Sequence, residues 1–81
     1  MTESNMIEVK LYAYLPNISK SRRRELKISP EEGLTVQDIL VREQLPLQIA
    51  RVVMVNGRRV EMDYLLKDGD EMAVFPPVAG G

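Results

Sequence analysis

Residues 6–14 alternate without a break. Ile7, Val9, Leu11 and Ala13 fall on one side of an extended chain, and Glu8, Lys10, Tyr12 and Tyr14 fall on the other. A period of two commits the segment to a strand with one buried face, because successive side chains of a pleated chain point to opposite sides. A half-buried strand needs neighbours beside it and an apolar layer beneath it. This chain must supply both from its own side chains. It contains no Cys and no His, so disulfides, iron–sulfur clusters, thiolate nucleophiles and histidine-based metal sites are excluded. With 81 residues it forms one domain and buries about 63% of the surface exposed by its unfolded chain.

Further segments supply the partners. Pro16-Asn17 breaks the first strand, and Ser19 to Arg24 is polar, basic and loop-like. Arg24 to Ser29 alternates again with Leu26 and Ile28 inward, which predicts an antiparallel hairpin with a long connection. Pro30-Glu31-Glu32-Gly33 is punctuation. Thr35 then fits a helix N-cap, Asp38 suits the first turn, and Val36, Ile39 and Leu40 form a helical stripe. Pro46 forbids continuation, so the helix is predicted over roughly Val36 to Gln44, with Leu45, Leu47 and Ile49 packed beneath the connection.

Val52-Val53-Met54-Val55 is a β-branched run that ends in Asn56-Gly57, the pair favoured by type I′ hairpin turns. Arg58 to Met62 is the expected return strand. Lys67-Asp68-Gly69-Asp70 is a second turn, and Glu71 to Phe75 is a last strand, with Met72 and Val74 on one face and Ala73 and Phe75 on the other. The order strand, strand, helix, strand, strand, strand predicts an α+β fold. One main helix covers one face of a mixed sheet of about five strands, the architecture of a β-grasp (ubiquitin-like) roll. The expected organisation is a flexible N-terminus over residues 1–5, the domain over 6–75 and an extended tail over 76–81.

Composition narrows the function. Eleven basic against twelve acidic residues leave a net charge of −1, so no overall field favours nucleic acid. No apolar run reaches the ~18 residues of a membrane span. Met1-Thr2-Glu3-Ser4-Asn5 lacks the basic-then-apolar order of a signal peptide, and a cytoplasmic location is the expectation. Asp68, Asp70 and Glu71 read as a turn around Gly69 rather than as a hard-cation site, because no further ligand spacing follows. No metal is expected. Arg22-Arg23-Arg24 reads as a solvated loop, since three arginines without interleaved aromatics bind nucleic acid weakly.

The C-terminus is the exception to this plain inventory. After Phe75, Pro76-Pro77 stiffens the exit by fixing φ, and Val78-Ala79-Gly80-Gly81 ends without bulk. Residues 76–81 reach at most about 20 Å beyond the sheet. Such a tail can thread a slot too narrow for a Cβ, and its terminal glycine carbonyl is the least hindered one for a nucleophile to approach.

The run from Leu66 to Gly81 resembles the MoaD/ThiS family of ubiquitin-like sulfur carriers, most closely the small subunit of molybdopterin synthase. Its marks are the Asp68-Gly69-Asp70 turn, the apolar strand, Phe75-Pro76-Pro77-Val78 and the terminal Gly80-Gly81. The opening strand and Val55-Asn56-Gly57 fit as well. The resemblance implies that an E1-like adenylyltransferase of the MoeB/ThiF type uses ATP to adenylate the Gly81 carboxylate. A sulfur donor then displaces AMP and leaves a thiocarboxylate. Pro76, Pro77, Val78, Ala79, Gly80 and Gly81 insert into a MoaE-like large subunit, forming a heterotetramer. There the sulfur passes to a pterin precursor of the molybdenum or tungsten cofactor.

On this reading the protein is a carrier rather than an enzyme and binds no cofactor, nucleic acid or membrane. Phe75, Tyr12 and Arg59 are implied to lie on the partner surface, Arg59 where the family often has an apolar residue. Carriage of sulfur for thiamine or tRNA thiolation, conjugation to proteins through Gly81, and a passive interaction domain stay open as alternatives.

Overall fold

The computed structural model describes residues 6–77. They form five strands and two helices in the order β1 (Ile7–Leu11), α1 (Leu15–Ile18), β2 (Glu25–Ile28), α2 (Val36–Arg42), β3 (Val52–Val55), β4 (Arg58–Arg59) and β5 (Glu71–Phe75). The strands make one mixed sheet in the order β2-β1-β5-β3-β4. β1 pairs with β2 antiparallel and with β5 parallel, while β3 lies antiparallel to both β5 and β4. β2 and β3 therefore run the same way on either side of the β1–β5 pair, and α2 is the crossover that joins them. This is the expected β-grasp arrangement.

The inward residues of the strands are Ile7, Val9, Leu11, Val53, Val55, Met72 and Val74. They share one apolar cluster with Val36, Ile39 and Leu40 of α2 and with Leu15, Leu34, Leu45, Ala50 and Leu66. Burying each large aliphatic side chain stabilises the fold by about 1.5–3 kcal/mol before the entropic cost. The cluster holds the sheet on one side only and leaves its other face uncovered by any described element.

Helix α2 starts where the sequence indicates. Thr35 is extended at φ −107° and ψ 165°, its hydroxyl accepts the Asp38 N–H at 3.2 Å, and the Asp38 carboxylate accepts the Thr35 N–H at 2.9 Å. This reciprocal box satisfies two orphan donors. The Thr35 backbone N–H, and after it the Thr35 hydroxyl, hold the Asp38 carboxyl below its ordinary range. The helix ends at Arg42, two residues before the expected Gln44. Gln44 turns left-handed at φ 58°, and the Leu45 and Gln44 N–H groups donate to the carbonyls of Leu40 and Val41. That Schellman closure, with Pro46 just beyond it, stops the helix.

Four local expectations need correction. β1 ends at Leu11 rather than Tyr14, and Ala13 is exposed because its φ of 57° takes the chain off the sheet. The Pro16-Asn17 break is part of α1, since Pro16 sits in the first turn, where its missing N–H costs no bond. The return strand after Gly57 covers only Arg58–Arg59. Beyond it the carbonyls of Met62 and Tyr64 accept the N–H groups of Gln37 and Val36, so this segment caps α2 instead of extending the sheet. Leu45 is buried and Ile49 half-buried beneath the connection, but Leu47 is exposed.

Candidate functional site

The uncovered face of the sheet can be read row by row from the strand register. One row crosses the end of the sheet from which the chain leaves, where Phe75 of β5 stands opposite Val52 of β3. Tyr12 follows β1 and donates its N–H to the Val74 carbonyl at 3.0 Å, which brings its ring beside Phe75. The two rings stack with centroids 4.5 Å apart and planes at 16°. Such a pair contributes about 0.5–1.5 kcal/mol beyond the area it buries. Tyr12 is 39% exposed and Phe75 half-buried, so the stack still offers apolar area to a partner.

The next row places Lys10 opposite Ala73, Ala73 opposite Met54 and Met54 opposite Arg59. Residues directly opposite each other share a face, so Arg59 joins Tyr12 and Phe75 on the uncovered side. Arg58 belongs instead to the row of Val55. A third row carries Glu8 opposite Glu71. Glu8, Lys10, Met54, Glu71 and Ala73 of these rows line a groove of about 290 Å³, with Tyr12 and Phe75 at one end and Asn56 and Gly57 at the other, and Arg59 lies outside its lining.

The far end of the groove is held by a polar network. Asn56 and Gly57 have φ of 54° and 83°, the two positive values that a type I′ turn requires. The Asn56 side-chain amide donates to Asp70 Oδ1 at 2.9 Å, and its carbonyl oxygen accepts the Glu71 N–H at 2.9 Å. Asp70, 7% exposed, also accepts the Lys67 N–H on Oδ2 at 2.8 Å. Both Asp70 oxygens thus serve the turn geometry. Among the described residues no cluster of three acidic groups has a metal-binding arrangement, and no helix is long and apolar enough to cross a membrane.

Tyr12, Phe75 and Arg59 are therefore brought onto one face. Pro76 is half-buried and Pro77 exposed, and they carry the chain away from the central strand. Val78, Ala79, Gly80 and Gly81 lie outside the described residues, as do residues 1–5. Sequence reading missed Val52 and Met54, which with Ala73 fill the face between the aromatic stack and Arg59. Their signal was masked because the run from Val52 to Val55 is apolar throughout, and only the register shows which members turn outward.

A mixed β-grasp sheet with one helix-covered face and one bare face, from whose central strand Pro76 and Pro77 lead away, defines the class of ubiquitin-like carriers. Within that class the chain belongs to the ThiS family, whose model matches residues 9–81. Solved structures agree with this assignment. A Pyrococcus furiosus protein assigned as molybdopterin converting factor, subunit 1, is 31% identical, covers 93% of this chain and 100% of its own, and has a TM-score of 0.67. SAMP1 from Haloferax volcanii is 27% identical over 94% of this chain and 99% of its own, with a TM-score of 0.68. A chain of the Helicobacter pylori complex of subunits 1 and 2 of molybdopterin-converting factor shares the fold at 20% identity and a TM-score of 0.61, with 94% of this chain and 99% of that one covered.

Proposed function

We propose that the protein carries sulfur as a thiocarboxylate on Gly81 and delivers it during molybdopterin synthesis as the small subunit of the synthase. The observation that carries this reading is the Tyr12–Phe75 stack on a bare sheet face, at the point where the chain turns into Pro76-Pro77. A partner that grips this face holds the start of the tail in a fixed direction. The likeness to the Pyrococcus furiosus subunit 1 supports the same pathway, and a MoaE-like large subunit is the partner proposed for the face.

The chemistry requires an outside activator. A terminal carboxylate, with pKa near 3.5, is ionised at neutral pH and is a poor electrophile. An E1-like enzyme converts it to an acyl-adenylate with release of pyrophosphate. A sulfur nucleophile then attacks the Gly81 carbonyl, AMP leaves, and the C–S bond of the thiocarboxylate remains. The carrier's own side chains take no part in these bond changes. Their role is to present the tail.

The test is incubation with an E1-like adenylyltransferase, ATP and a sulfur source, followed by intact mass measurement. An oxygen-to-sulfur increment located on Gly81 supports the reading, and an unchanged mass sinks it. Transfer from the loaded chain to a pterin precursor in the presence of a synthase large subunit then fixes the pathway. The likeness to SAMP1, comparable in identity and overlap, favours a second reading in which Gly81 is joined to lysines of other proteins. Isopeptide-linked Gly-Gly remnants on cellular proteins distinguish it.

A further inference from the structure

The far edge of the sheet has features that the carrier reading leaves unused. β2 pairs with β1 alone, so its other side is an open edge. The Leu11 N–H donates to the Arg24 carbonyl at 2.8 Å, and Val9 and Ile7 stand opposite Leu26 and Ile28. In an antiparallel ladder alternate residues turn their backbone groups to the partner. Arg24, Leu26 and Ile28 therefore bond toward β1, while the N–H and C=O groups of Glu25 and Lys27 point outward. Leu26 and Ile28 are only half-buried against the core, and a further strand would cover them.

Beside this edge stand Arg22, Arg23 and Arg24, all exposed. Among the described residues the ion pair joins Arg42 to Glu31, and none of these three arginines is paired with a described carboxylate. Residues 20–27 carry Lys20, Arg22, Arg23, Arg24 and Lys27 against the single acidic Glu25, a local excess of positive charge in a chain of net charge −1. The loop is also braced. The Lys20 N–H donates to the Glu43 carbonyl, and the Ser21 N–H and hydroxyl donate to the Glu43 carboxylate at 3.1 and 2.7 Å. Buried Ser19 accepts the Arg22 N–H on its hydroxyl at 3.1 Å, and Arg22 itself is held left-handed at φ 58°. A basic run fixed at the end of an open strand loses little entropy when it meets an anionic partner.

We propose that the β2 edge receives an extended peptide with a short apolar core and acidic flanks, which adds a strand through the outward groups of Glu25 and Lys27 and sets its carboxylates against Arg22, Arg23 and Arg24. The backbone bonds supply the docking geometry, and the arginines select the acidic flank. The site uses the opposite edge from Arg59 and neither Phe75 nor the tail, so it stands apart from the thiocarboxylate reading.

The test is an NMR titration of the isotope-labelled full chain with a synthetic peptide, a short Val/Ile core flanked on both sides by aspartates and glutamates. The expected result is a set of shifts confined to residues 20–28 and their β1 neighbours. Lys27→Pro removes an outward N–H without touching the β1 ladder and should abolish the shifts. Replacing Arg22, Arg23 and Arg24 together by Ala should weaken binding about tenfold. The proposal is overturned if the peptide does not bind, if the shifts fall on Tyr12 and Phe75 instead, or if Lys27→Pro binds as well as the native chain. Polyglutamate or an RNA duplex binding as tightly as the peptide would also overturn it, because the site would then be a charge patch without strand addition.

Discussion

Asn56 ties three parts of the molecule together, and its replacement separates their contributions. In the native chain it occupies a left-handed turn position, donates to buried Asp70 and accepts from Glu71. Asn56→Gly keeps the turn geometry and removes both side-chain bonds. At about 1 kcal/mol per bond, with some further cost for Asp70 Oδ1 losing its partner, the expected loss is about 2–3 kcal/mol. Asn56→Ala loses the same bonds and also the short polar side chain that lets Asn adopt the left-handed conformation, which costs about 1–2 kcal/mol relative to Gly. A domain of 81 residues has a total stability of about 4–12 kcal/mol, so both variants lie within measurable range of unfolding. Urea titration followed by far-ultraviolet circular dichroism should rank native above Gly above Ala, and the thermal midpoint of Asn56→Gly should fall by roughly 10–20 °C. If the Gly variant matches the native chain within about 0.5 kcal/mol, the network carries no stability and the assigned bonds are incidental. If Ala and Gly are equal, the conformational part of the reasoning fails.

Phe75→Ala should weaken docking to a synthase large subunit by about 1–3 kcal/mol, and calorimetric titration that returns the native affinity would remove Phe75 from the interface. Deleting Gly81 should abolish thiocarboxylate formation by mass while leaving the melting midpoint of the domain unchanged; a clear fall in that midpoint would show the tail belongs to the fold. The Asp38 carboxyl is held below its unfolded value, so its stabilisation is complete well above about pH 4 and is lost as pH falls through the folded value. Glu31, lowered by the hydrogen bond and charge of Arg42, acts in the same direction, and its exposed ion pair is screened by salt. Urea midpoints measured across the acid range should therefore show a shallower acid limb in Asp38→Asn, and added salt should flatten mainly the part due to the Glu31–Arg42 pair. An acid limb identical to the native one in Asp38→Asn would refute the assignment.

What the sequence revealed and what it hid divide along physical lines. Thr35 with Asp38, Asn56 with Gly57, and the alternation of β5 are local patterns, and each appears where its residues indicate. The short reach of β4 was hidden because it depends on a distant event, the capture of Met62 and Tyr64 carbonyls by the start of α2. α1 was hidden because Pro16 marks a break in a strand but is harmless in the first turn of a helix. At the candidate site the two aromatic positions followed from parity, and the stack follows once β1 and β5 are known to be neighbours. The Asn56–Asp70 bond could not be read in advance, because it joins two turns whose approach is set by the whole sheet.

The parallel pairing of β1 with β5 also has a mechanical side. The first strand enters the sheet at Ile7 and the last leaves it at Phe75, at opposite ends of the same ladder. A partner that tugs on Pro77 while the start of the chain is anchored would load that ladder lengthwise, in shear. Its rungs would then share the force together instead of unzipping in turn, so the handle can be pulled hard without the body coming apart.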